Sequence, residues 1–75
     1  MPELARFGSW KILMFFQDEN PPHVHLAGPN FAAKMRISDG SLLAGRVPAR
    51  ELRRARLWVE AHRAELSELW AEFEK

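Results

Sequence analysis

The sequence predicts an α+β fold: a small antiparallel sheet of four to five short strands packed against one long or bent C-terminal helix, with two consecutive helices as the alternative. Three observations carry this. Residues 3–44 alternate apolar and polar side chains between glycine-rich turns. Residues 47–75 carry apolar positions at steps of three and four with no Gly or Pro after Pro48. The chain has 75 residues, enough for one domain, with a β part over 1–45 and a helical part over 47–75.

Glu3 to Phe7 reads as a first strand, closed by Gly8-Ser9, a two-residue loop with glycine in the first position of a type II′ hairpin turn. Trp10 to Phe16 is the second strand. Trp10, Ile12, Met14 and Phe16 fall on one face and Leu13 and Phe15 on the other, as expected of a central strand or one covered by a helix. A polar loop, Gln17 to Pro22, leads into a third strand, His23 to Ala27. Gly28-Pro29-Asn30 then turns the chain into a fourth, Phe31 to Ile37. Matching polarity across this hairpin pairs Val24 with Met35 and Leu26 with Ala33 on the core face. The same register sets His25 opposite Lys34 and His23 opposite Arg36. After Ser38-Asp39-Gly40-Ser41, Leu42 to Ala44 is a short edge strand.

Pro48 sits at the helix N-cap, with Val47 and Leu52 at the hydrophobic-staple positions and Glu51 in the first turn. Leu52, Ala55, Val59, His62, Leu66, Leu69 and Phe73 form the apolar stripe, widened by Trp58 and Trp70. A straight helix over this stretch would reach roughly 40 Å. That exceeds what a small sheet needs, so a bend near Ala61–Arg63 or an overhang onto a partner is expected.

Composition narrows the function classes. There is no Cys, so no disulfide supports the small core. The net charge of +1 does not by itself indicate nucleic acid. The longest apolar run, Ile12 to Phe16, is far short of a membrane span, and residues 1–9 have no apolar segment of the secretory type. The expectation is a soluble cytoplasmic protein without a membrane partner.

The segment Asn20-Pro21-Pro22-His23-Val24-His25 is the first place to look for chemistry. On a strand, residues two apart share a face, so both imidazoles point the same way. One reading is a metal site, with Asp18, Glu19 or His62 as third ligand; two neighbouring cations oppose it, and no metal or other cofactor is expected. A second is catalysis: His23 and His25 as acid and base, Lys34 and Arg36 holding phosphate, the toolkit of metal-independent RNA cleavage. A third is binding of phosphate or an acidic partner without chemistry. The structural alternative gives one histidine a backbone carbonyl near Pro21 and Pro22 and the other an aromatic neighbour.

Charge along the helical part is split. Arg46, Arg50, Arg53, Arg54 and Arg56 crowd its start, while Glu60, Glu65, Glu68, Glu72 and Glu74 load its end, against the preference of the helix dipole. Arg50, Arg53 and Arg54 are expected to meet nucleic-acid phosphate, an acidic partner or a second copy; a solvated face is the plain alternative. Trp58 and Trp70, twelve positions apart, cannot share one narrow seam, and both are candidates for a partner interface.

Arg6-Phe7-Gly8-Ser9-Trp10-Lys11, Asn20-Pro21-Pro22-His23-Val24-His25, Ala33-Lys34, Pro48-Ala49-Arg50-Glu51-Leu52 and the ending Leu66…Leu69-Trp70…Phe73 together resemble a small prokaryotic family, domain of unknown function 4160. The resemblance covers nearly the whole chain, and Pro-Pro-His-Val-His is its specific part. Members often have Ser at the helix start, where this chain has Pro48. The resemblance implies a gene neighbour encoding another small protein, and a toxin–antitoxin-like pair. It assigns no activity. Two functions follow as expectations: an RNA-acting toxin using the histidine pair, or a non-enzymatic module, antitoxin or structural partner, that binds protein or nucleic acid and forms homo-oligomers.

Overall fold

The computed structural model describes residues 3–15 and 20–73. Five strands form one antiparallel sheet in the order β1-β2-β3-β4-β5: β1 Glu3–Phe7, β2 Trp10–Leu13, β3 His23–Ala27, β4 Ala32–Arg36 and β5 Leu42–Arg46. Each strand pairs with the next in sequence, and only β1 and β5 are edges. Two helices follow, α1 Ala49–Ala61 and α2 Arg63–Phe73.

The β3–β4 register is the one expected from polarity: Val24↔Met35, Leu26↔Ala33, His25↔Lys34 and His23↔Arg36. β2 is shorter than the apolar run suggests. Leu13 pairs with Glu3, where β1 begins in the ladder, so Met14 and Phe15 continue beyond β1's reach, and Phe16 lies outside the described residues. β4 is shorter at both ends because its neighbours bond elsewhere. Phe31 accepts from the Gly28 amide at 2.9 Å, and the Ile37 amide donates to the Pro22 carbonyl at 3.1 Å. β5 runs to Arg46, past the expected Ala44, with Gly45 and Arg46 paired to Ala33 and Ala32, and a register shift falls at its start, between Lys34 and Met35 of the partner strand.

One face of the sheet is packed by both helices. Trp10, Ile12, Met14, Val24, Leu26, Ala33, Met35 and Ile37 meet Ala55 and Val59 of α1 and Leu66 and Trp70 of α2 in a single buried cluster. The apolar alternation of β2, β3 and β4 therefore faces the stripe read from the helical part. Pro48 is the N-cap and supplies no side-chain bond; its carbonyl accepts from the Leu52 amide at 2.8 Å.

The helix breaks at His62, inside the expected bend. The His62 Nδ1–H donates to the Trp58 carbonyl at 2.9 Å, and the His62 amide is shared between the Trp58 and Val59 carbonyls at 3.1 and 3.2 Å. The ring thus shares the Trp58 carbonyl with the residue's own amide, and the Leu66 amide bonds the His62 carbonyl at 2.9 Å. The ring also stacks on Trp58, centroids 4.4 Å apart. Both helices grip the β4–β5 turn: Arg56 Nε donates to the Gly40 carbonyl at 3.1 Å and Arg63 Nε to the Ile37 carbonyl at 2.8 Å. Among the described residues no helix is long and apolar enough to cross a membrane.

Candidate functional site on the open sheet face

The sheet face away from the helices is built by register. Arg6, Lys11, Ala27, Ala32 and Arg46 fall in one cross-strand row, and Glu3, Leu13, His25, Lys34 and Ala44 in the next. His23 and Arg36 begin a third. The basic residues Arg6, Lys11, Lys34, Arg36 and Arg46 thus share this face with one acidic residue of the strands, Glu3. Glu3 already holds Arg6 at 2.8 Å and stands 3.9 Å from Lys11. Small side chains at Ala27, Ala32 and Ala44 leave a shallow trough of about 270 Å³, bordered by Leu13, Phe15, His25 and Lys34.

The two histidines differ sharply in setting. His23 is 3% exposed. Its Nδ1 lies 2.8 Å from the Pro21 carbonyl, which can only accept, so Nδ1 carries the proton. Its ring lies between His25 (centroids 5.0 Å apart) and Trp70 (5.2 Å). His25 is half-buried and meets the Phe15 ring edge-on at 4.3 Å. Phe15, His25, His23 and Trp70 form a continuous row of rings from the open face to the end of α2. A backbone carbonyl for one histidine and an aromatic neighbour for the other are thus both present, as the structural alternative expects, and the pair sits beside the trough with His25 as its accessible member.

The expected cations separate into two groups. Lys34 and Arg36 are half-buried on the open face, and Arg36 Nη1 leans toward Asp39 at 3.5 Å while its buried Nε has no hydrogen-bond partner. Arg50, Arg53 and Arg54 are exposed on α1, in the other layer, so they do not join the histidine pair in one site. Arg46, read as part of the helix start, is instead a β5 residue opposite Ala32. Trp70, read as a partner-facing residue, is 4% exposed and belongs to the core, because α2 packs Leu66 and Trp70 against the sheet. Trp58 is half-buried against His62.

Asp18 and Glu19 lie outside the described residues, and among the described residues no three His, Asp or Glu side chains gather to hold a metal ion. The Asp39 carboxyl has a lowered titration. The Ser41 amide (3.0 Å) and hydroxyl (2.7 Å) both donate to Oδ1 and hold its carboxyl below the ordinary value of 3.8, with Arg36 adding a smaller pull.

Sequence reasoning grouped Leu13 and Phe15 on one face of β2 without joining that face to His25, and it missed Lys11 and Arg46 as members of it. The β3–β4 register could be read from alternation, but the β2–β3 pairing crosses a long polar loop that fixes no offset. The β4–β5 pairing contains a register shift that alternation does not reveal.

A search of curated proteins and one of solved structures each found no match. The family model for Domain of unknown function (DUF4160) matches residues 9–71, which takes in the histidine segment, the sheet from β2 onward and most of both helices. The chain belongs to the DUF4160 family.

Proposed function

We propose that this protein is a nucleic-acid-binding component of a prokaryotic two-gene, toxin–antitoxin-like module, and that it holds single-stranded RNA on the open sheet face. The observation that carries the reading is the juxtaposition on that face of Lys11, Lys34, Arg36 and Arg46 with a shallow apolar trough edged by Phe15 and His25. Backbone phosphate asks for cations, and unstacked bases ask for flat apolar or aromatic surface; a sheet face offering both is a common way to hold a single strand. The small protein encoded by the neighbouring gene is the proposed protein partner.

Fluorescence anisotropy with a labelled single-stranded RNA tests this. The Lys34→Glu/Arg36→Glu variant is expected to weaken binding at least tenfold, and Arg53→Glu/Arg54→Glu several-fold less. Absence of binding by the wild-type protein at low salt, or equal loss in both variants, contradicts the reading.

The 5.0 Å separation of the His23 and His25 rings favours a second reading, metal-independent RNA cleavage. The burial of His23 argues against a symmetric acid–base pair and leaves His25, next to Lys34, as the group to test. RNA cleavage in the presence of a chelator, abolished by His25→Ala in a protein that still folds, would establish this reading over simple binding.

A further inference from the structure

We infer that the outer faces of α1 and α2 form a self-complementary surface on which a second copy of this chain docks about a two-fold axis, the basic α1 of each copy lying on the acidic α2 of the other. The inference is independent of the open sheet face, which lies in the other layer.

Successive helical residues advance about 100°. Arg53 and Leu57 stand two positions either side of buried Ala55, so they point away from the core, with Arg50 and Arg54 flanking them. All four are exposed, and Leu57, at 62%, is the exposed large hydrophobic side chain among the described residues. On α2, Ala64 and Glu68 stand two positions either side of buried Leu66, with Glu65, Ala71 and Glu72 beside them, all exposed. The outer face of α1 therefore presents Leu57 among arginines with Glu60 one turn further on, and that of α2 presents alanines among glutamates. Among the described residues, none of Arg50, Arg53, Arg54, Glu65, Glu68 and Glu72 makes an ion pair or side-chain hydrogen bond within the chain.

Glu51 and Glu65, in the first turns of α1 and α2, are well placed for the helix dipoles, but other charges of the two faces are not. Arg50 and Arg53 lie in the first turns of α1, Glu72 lies in the last turn of α2, and neither helix has a basic residue in its last turn. Like-signed charge at a helix end is unfavourable by a few tenths of a kcal/mol per residue. An opposed copy removes that penalty at both ends simultaneously. A two-fold operation brings the same patch onto itself, so it makes the α1–α2 contact twice and closes without leaving a free basic or acidic half. An unrelated partner would need both signs in the same order, and nucleic acid would satisfy only the arginines. Leu57 then fills the shallow surface over Ala64 and Ala71, with the charged residues around it fixing register.

The test is sedimentation velocity on the full chain with two charge-reversed variants, Arg53→Glu/Arg54→Glu and Glu65→Arg/Glu68→Arg, each checked for folding by circular dichroism. The wild type is expected to dimerise, with the dissociation constant rising at least tenfold between 50 and 500 mM salt. Each variant alone is expected to be monomeric, since its contacts become like-charged. An equimolar mixture is expected to dimerise again, because acid meets base at both contacts of the mixed pair. A monomeric wild type at millimolar concentration, variants that remain dimeric, or a mixture that stays monomeric would each overturn the inference. If either variant fails to fold, Leu57→Asp replaces it, and dimerisation unchanged by that substitution would overturn the inference as well.

Discussion

The imidazole of His23 packs against the indole of Trp70 with ring centroids 5.2 Å apart, joining the start of β3 to the last turn of α2. Both side chains are nearly inaccessible, at 3% and 4% exposure, and His23 is fixed further by its bond to the Pro21 carbonyl. The Pro-Pro-His approach therefore positions a packing residue and, one strand pitch further on, presents His25 to the open face.

His23→Ala should lower stability by about 2 kcal/mol through loss of a buried hydrogen bond and ring packing. Trp70→Ala should cost about 3–5 kcal/mol, enough to unfold much of a domain this small. His25→Ala, at a half-buried position, should cost under about 1 kcal/mol. Urea titration of the three variants checks the order, and an equal cost for both histidines would contradict the division of roles.

Gly45 lies in β5 with φ +82°, and a Cβ there would collide with the Ala32 carbonyl oxygen across the β4–β5 ladder. Gly45→Ala should therefore displace β5, with a stability loss of at least about 2 kcal/mol and early amide exchange at Ala32 and Lys34. Wild-type exchange at those amides in the variant would count against the β5 placement. Because Ala44 and Arg46 flank this residue on the open face, RNA binding should fall along with it.

Asp39 gives the pH dependence. Its folded carboxyl titrates below the ordinary 3.8, chiefly through the Ser41 amide and hydroxyl. A depressed folded value means that the stabilisation is fully present above the unfolded value and is lost as pH falls through the folded one. The stability difference between wild type and Asp39→Ala should hold constant at neutral pH and shrink once the pH drops below about 4. Thermal melts between pH 2.5 and 7 measure it. A difference that grows on acidification would contradict the assignment.

Much of this architecture was legible in the residues. The alternation Phe31, Ala33, Met35, Ile37 against Lys34 and Arg36 specified the β3–β4 register and so put His25 beside Lys34. The excess length of the helical stripe pointed to a bend near Ala61–Arg63, where His62 breaks it. What stayed hidden depended on contacts between distant residues. Nothing local to Trp70 shows that α2 packs on the sheet and buries it against His23. Nothing local to Arg46 shows that β5 extends past Gly45 and carries that arginine onto the sheet. Helical periodicity places the apolar stripe but leaves open how many segments it spans, and the partition of the cations between two layers follows from that tertiary arrangement.

Amide chemical shifts followed during titration with a short single-stranded RNA test the central claim most directly. The open-face account predicts the largest changes at Lys11, Leu13, His25, Ala27, Ala32, Lys34, Ala44 and Arg46, in rows crossing β2 to β5, with the amides of α1 nearly unmoved. Changes confined to Arg50–Arg54, or none at RNA concentrations well above that of the protein, would contradict it.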